Sequence, residues 1–224
     1  VDYLNTLNYD QQKARLGIWS GRVPNVNGTY FSNAVNNHRQ EIKITTAGTD
    51  NTIPAIFGLT NTYNAYLPAG YLNWQDLSSY LDWSGLRPMT EFEYEKACRG
   101  TLAPVAYEYP WGTTVINTSS GGMTNGNTAS EKMNIVNDGL CHYNWDNGPM
   151  RSGFAATTNS NRIQAGASFY GIMELAGNVY EQCVGGGASF NYAAFTNVNG
   201  DGVLTNNGLA NVVGWPVNGG LSSG

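Results

Sequence analysis

The order of apolar and polar positions divides the chain into two kinds of territory. Helical spacing appears in three places, residues 2–16, 73–84 and 90–99, while the rest breaks too often for anything but short strands and long loops. In the first segment Tyr3, Leu4, Leu7 and Ala14 recur at mixed helical spacing with no clean stop before Gly17, which predicts one helix over 2–16. The second opens at Asn73, an N-cap residue, with Asp76 three positions on, where a carboxylate favours a helix N-terminus. It repeats Leu77, Tyr80 and Leu81 on one face and ends at Gly85. The third follows Pro88, begins with Thr90 and Glu93 at capping-box spacing, and stops at Gly100.

Beyond Gly100 turn signals crowd together: Tyr109-Pro-Trp-Gly112, Ser120-Gly-Gly-Met123, Asn125-Gly126, Asp146-Asn-Gly-Pro149, Gly185-Gly-Gly187 and Asn199-Gly-Asp-Gly202. Apolar stretches such as Phe169-Tyr-Gly-Ile-Met173 read as strands of a few residues between long loops. No repeat of solenoid period and no linker divides the chain, so residues 1–224 are expected to form one domain.

Composition explains the punctuation. Gly supplies 28 residues and Asn another 28, a quarter of the 224 together, whereas charged residues are only 12%. Gly and Asn are the residues that most readily adopt positive φ, so the backbone is expected to turn through that region many times. Disorder is excluded by 12% aromatics and a net charge of only -5. With 11 Lys and Arg against 16 Asp and Glu, the electrostatic footprint of a nucleic-acid binder is missing. No apolar run approaches the ~20 residues that span a bilayer. The chain begins at Val1 without Met or signal peptide and reads as a mature, trimmed or partial product.

Candidate chemistry is sparse. His38 and His142 stand in no nucleophile motif, and both read as structural. Glu91, Glu93 and Glu95 read as a solvated helix face with one capping role, and Arg87 and Arg99 as their partners or as partners of carbonyls. Three cysteines, Cys98, Cys141 and Cys183, permit one disulfide and show no metal-ligand spacing; three small buried hydrophobes is the plainer reading. Trp74, Trp83, Trp111 and Trp215 are expected to anchor core or hairpins. The sequons Asn27-Gly-Thr29 and Asn117-Thr-Ser119 matter only in a host that glycosylates Asn. The segment Met173-Glu-Leu-Ala-Gly-Asn-Val-Tyr-Glu181 differs, because it sets two carboxylates seven residues apart around a Gly-Asn turn, where carboxylate and carbonyl oxygens could converge on a hard cation such as calcium. A tight turn between strands, with Glu174 and Glu181 in water, explains the same spacing.

Four motifs in order carry a resemblance. They are Asn73-Trp74-x-Asp76, Leu86-Arg-Pro-Met-Thr-Glu-Phe-Glu-Tyr-Glu-Lys-Ala-Cys-Arg-Gly100, Tyr109-Pro-Trp-Gly112 and Tyr170-Gly-Ile-Met-Glu-Leu-Ala-Gly-Asn-Val-Tyr-Glu181. Together they resemble the formylglycine-generating enzyme, or sulfatase-modifying factor, family. Met89 after Pro88, Gly200-Asp-Gly-Val-Leu and Ala210-Asn-Val-x-x-Trp-Pro216 are similar to a secreted, Bacteroidota-like branch of it. The resemblance implies an α+β domain of C-type-lectin-like topology, with little regular structure and long loops, placed extracellularly or at the cell surface. It also implies calcium held by the Glu174 and Glu181 side chains and the Gly177 and Val179 carbonyls.

The departures point away from catalysis. The family's oxidation resembles a copper reaction of two cysteines four residues apart near the C-terminus, and soft thiolates are the expected ligands of Cu(I). No such pair occurs here, and no cysteine follows Cys183, so copper is not expected and no catalytic residue is assigned. The family's flanking strands, before Val1 and after Gly224, are expected to be missing from this stretch, leaving sheet edges open to pairing. The resulting expectation is a non-catalytic, calcium-stabilised surface module that binds protein partners or glycans, or self-assembles. Two alternatives stand beside it. One is an oxidase whose cysteines lie in a further C-terminal segment; the other is a diversified ligand-binding lectin-like protein with Asn191 through Asn218 as its variable positions.

Overall fold

The computed structural model describes residues 1–17, 21–31, 39, 42–49, 51–118, 122–143, 148–185 and 203–205. His38, Trp215 and the Ala210–Pro216 motif lie outside the described residues, as does the Asn191 through Asn218 stretch apart from residues 203–205. The chain divides into two compact units, Val1–Tyr71 with Lys96–Val179, and Leu72–Glu95 with Tyr180–Gly224.

The first unit starts with two helices where the apolar spacing predicts one. Helix α1 spans Asp2–Thr6 and α2 spans Tyr9–Gly17, with Leu7 between them in an extended conformation. A local cap causes the break. The Asn8 side chain accepts from Gln11 N–H at 3.0 Å and the Gln11 side chain accepts from Asn8 N–H at 2.9 Å, a reciprocal box that begins a new helix.

Strands β1 (Ile42–Thr46) and β2 (Ile56–Leu59) pair antiparallel with a bulge after Ile44, and residues 29–31 line the other side of β1. The outer edge of β2 is closed by side chains. Asn5 exchanges two hydrogen bonds with the Phe57 main chain, at 3.0 and 2.8 Å. Gln12, fully buried, does the same with Ala55 at 2.9 and 2.8 Å and also donates to Leu4 O. Two amides thereby imitate a neighbouring strand and satisfy the main chain at Ala55 and Phe57.

A 3-10 turn at Thr62–Tyr66 follows, and further along come β3 (Asn117–Thr118) with β6 (Leu140–Cys141) in parallel and β4 (Met123–Thr124) with β5 (Lys132–Met133) antiparallel. Met133, Leu140, Met150, Phe154 and Ala155 form a buried cluster with Met123 against it. Residues 169–173, predicted as a strand, make a turn closed by Ser168 N–H on Ile172 O at 2.7 Å.

In the second unit α3 (Trp74–Trp83) and the first part of α4 (Glu91–Arg99) obey their local signals. Asn73 and Asp76 form a reciprocal capping box. At the other end Leu86 N–H bonds Leu81 O and Gly85 N–H bonds Asp82 O, a Schellman closure that places Gly85 at φ +71. Thr90 and Glu93 cap α4 reciprocally, at 3.2 and 2.8 Å. Residue Val184 then pairs with the start of α4, its carbonyl accepting from Glu91 N–H and its N–H donating to Met89 O.

These elements make a mixed helix-and-strand α+β arrangement with little regular structure. Among the described residues twelve glycines and four asparagines hold positive φ, which is where the Gly and Asn excess is used.

Candidate functional site

The Gly-Asn turn is stitched into the first unit from both sides. Gly177 has φ +79, and a Cβ there would stand 2.5 Å from Cys141 Sγ and 2.6 Å from His142 O, so both backbone conformation and space demand glycine. Asn178 follows at φ +65. Its N–H donates to His142 O at 2.7 Å, while its amide side chain accepts from Met150 N–H at 2.8 Å and donates to Met150 O at 3.0 Å. Cys141 Sγ donates to Ala176 O, and Glu174, itself at φ +64, accepts from Gly153 N–H at 3.0 Å. Two consecutive residue types of the motif are therefore set by packing against the end of β6 and the segment 150–153. Glu174 and Glu181 are both half-buried rather than in water, and no strand flanks the turn.

Beside the turn sit two buried titratable groups. His142 bonds Gly148 O through Nε2 at 2.9 Å and meets Phe154 edge-on; burial above all lowers its pKa and keeps it neutral, consistent with the structural role read from sequence. Glu131 is fully buried. Burial alone would raise its carboxyl, but hydrogen bonds from Arg39 and from the Asn127 and Arg151 N–H groups outweigh that and hold it below the usual range. Arg39 also donates to Pro149 O at 2.8 Å and to Asn127 Oδ1 at 3.0 Å, and pairs closely with the second Glu131 oxygen. Sequence reasoning passes over both residues, because Ser130-Glu131-Lys132 looks like any solvated turn and Arg39 is 92 positions away.

The residues expected to hold calcium fall as follows. Glu174, Gly177 and Val179 belong to the first unit and Glu181 to the second. The main-chain carbonyls of Gly177 and Val179 accept no hydrogen bond from the described residues. Burial pushes the Glu181 carboxyl up to about 7, against one hydrogen bond from its own N–H. Within the first unit, the Gly177 and Val179 carbonyls and the Glu174 carboxylate are hard oxygen donors of the kind calcium takes. Among the described residues no three His, Cys, Asp or Glu side chains gather as a metal cluster, so any cation here would lean on main-chain oxygen.

The thiols do not fit copper. Cys98, Cys141 and Cys183 are all free, the first two buried. Burial first, then the negative charges of Glu181 and Glu91, push the Cys183 thiol up and away from the thiolate that a soft metal needs.

The remaining candidates are structural. Arg87 pairs with Glu93, holding that exposed carboxyl down at about 2 together with Thr90 N–H, and Arg99 pairs with Glu108 at 3.3 Å. Trp111 is buried, stacks on Tyr109 and donates to Val115 O, whereas Trp83 stays 47% exposed and anchors no core. Both sequon asparagines are occupied, Asn27 by Ala47 N–H and Asn117 by Asp138 O.

A family model described as FGE-sulfatase, the sulfatase-modifying factor enzyme 1-like domain, matches residues 18–199. No curated protein and no solved structure matches the chain.

Proposed function

Because the chain belongs to the sulfatase-modifying factor enzyme 1-like family, we propose that it serves as a non-catalytic, calcium-stabilised scaffold module. In this reading it has the family's C-type-lectin-like topology, stands extracellularly or at a cell surface, and engages protein partners, glycans or further copies of itself. The observation that carries the reading is the state of the thiols. A copper oxidase needs two neighbouring thiolates, and the cysteines present are dispersed, two of them buried and the third with its thiol pushed up. Among the described residues no helix is long and apolar enough to cross a membrane.

Calcium supports the scaffold in this reading. Glu174 with the Gly177 and Val179 carbonyls would hold it from the first unit, and Glu181 is the fourth ligand that the family resemblance implies. Bound calcium supplies only charge and cross-linking. The chain's own residues do the rest: Asn178 fixes the turn on Met150, Gly177 lets it lie against Cys141, and Glu174 ties it to Gly153. A loop held at that many points is suited to display neighbouring loops rigidly.

Elemental analysis of the purified chain tests the proposal, with stoichiometric calcium and no stoichiometric copper expected. A chelator should lower the melting temperature, because a ligand at a hundred times its Kd stabilises the native state by about 2.7 kcal/mol, which at this chain length is roughly 5–10 °C. Copper at one per chain, with turnover of a cysteine-containing sulfatase peptide, would overturn the scaffold reading in favour of an oxidase. Unchanged calcium content and melting in Glu181→Ala would remove Glu181 from the ligand set.

A further inference from the structure

The family match begins at residue 18, so α1 and α2 precede it. Both nevertheless close the outer edge of β2. Ile44 turns its main chain away from β2, donating to Thr29 O and accepting from Gly28 N–H, and this leaves Phe57, its cross-strand partner, with N–H and C=O pointing outward. Asn5 takes those two groups, and Gln12 takes the pair at Ala55, two positions back on the same side. Positions 55 and 57 are therefore the ones that a further strand would use, because hydrogen-bonding groups alternate sides along a strand.

The strand brings no guard of its own. No Lys, Arg, Asp or Glu occurs from Asn51 through Gln75, Pro54 stands before β2 rather than within it, and the bulge lies in β1. Ala55-Ile-Phe-Gly-Leu59 is thus an uncharged run on an edge, with the Ile56 side chain 53% exposed. It is compatible with a copy of itself. Antiparallel pairing of Ala55 with Phe57 of a second copy, and of Phe57 with that copy's Ala55, engages the same four main-chain groups that the two amides now hold. The two-fold axis then passes through Ile56, which faces its own copy across a closely spaced pair.

We propose that residues 1–17 act as an intramolecular guard, and that the β2 edge they close is a latent self-pairing surface whose partner is β2 of a second copy. With the guard docked, α1 packs on β2 and Asn5 and Gln12 occupy the edge, so no strand enters. With it lifted, four orphaned main-chain groups and the lack of opposing charge favour strand addition. The device lies within the first unit and stands whether or not calcium binds.

The test uses the full chain carrying Gln12→Pro, which removes the strand-mimicking amide and the Gln12 N–H bond to Asn8 O that starts α2. Sedimentation velocity over a range of concentrations, with circular dichroism as the check of folding, compares it with the wild type. Gln12→Pro should associate roughly tenfold or more tightly than the wild type, the equivalent of about one net hydrogen bond. Adding Ile56→Lys sets two ammonium groups opposite each other and should return association to the wild-type level. Ile56→Lys alone, at an exposed side chain beside a closed edge, should change nothing. A folded Gln12→Pro chain that associates no more than the wild type overturns the proposal. So does association that Ile56→Lys leaves intact, as an exchange of residues 1–17 between copies or unspecific clumping would give. An effect of Ile56→Lys alone on the wild type does the same, because it would mean that the edge is already open. Should Gln12→Pro not fold, Gln12→Gly, which loses the same amide with a milder effect on α2, is read by the same criteria.

Discussion

Gly177→Ala tests whether the motif turn is held by packing or merely by its backbone angle. Two costs apply. Forcing a side chain into the left-handed region costs about 1–2 kcal/mol. Placing a Cβ 2.5 Å from Cys141 Sγ and 2.6 Å from His142 O then requires the turn or the end of β6 to move, at about 1–3 kcal/mol for an overpacked site. Gly171 isolates the second cost, since its φ is +80 against +79 and a Cβ there would meet nothing within 4 Å. Any entropy that Ala removes from the unfolded chain is common to both variants and cancels. The expected loss is therefore about 2–5 kcal/mol for Gly177→Ala and about 1–2 kcal/mol for Gly171→Ala. Urea unfolding followed by tryptophan fluorescence reads the difference as a shift in midpoint at constant slope. Hydrogen exchange of the Asn178 amide, bonded to His142 O, reports the turn directly. Equal losses in the two variants would refute the packing argument, because only the space around the two positions differs.

Other side chains give sharper single effects. Gln12→Ala orphans both main-chain groups of Ala55 and should cost about 2–3 kcal/mol, with faster exchange of the Ala55 amide; unchanged exchange would mean that the β2 edge needs no cover. Glu131→Ala leaves the largely buried Arg39 uncompensated and should cost about 3–5 kcal/mol in urea, and a loss under about 1 kcal/mol would show the pair to be dispensable. Glu181 sets a pH dependence of the opposite sign to acid denaturation. Its raised carboxyl, about 7 in the fold, binds a proton that the unfolded chain releases near its ordinary 4.5. That stabilisation is full below 4.5 and is lost as pH rises through 7. After discounting for partial exposure, chelated protein should lose about 1 kcal/mol through this group over that window; Glu181→Gln should abolish the loss, and an identical pH profile in the variant would contradict the assignment.

Local chemistry made part of this structure readable. Helices α3 and α4 follow their caps because Asn73 with Asp76, Thr90 with Glu93, and Gly85 each act within one turn of chain. The break at Leu7 was equally local, written in Asn8 and Gln11, yet the apolar spacing of Tyr3, Leu4 and Leu7 obscured it. The turn motif was legible as a motif and not as geometry. Its partners at His142 and Met150 lie some thirty residues away, and only packing shows that Gly177 is there because Cys141 is.

Composition and the four motifs, taken from the sequence by itself, were sufficient for the family, the α+β class and the wealth of positive-φ turns. Tertiary structure alone decided which polar residues are buried and what satisfies them: Gln12 on the edge of β2, Glu131 beneath Arg39, and Asn178 on Met150. The division has a physical cause. Caps and turns are closed by atoms a few bonds apart, so residue type and spacing specify them. A buried amide or carboxylate is satisfied by whichever distant main-chain groups the fold brings within reach, and that depends on every other contact in the domain.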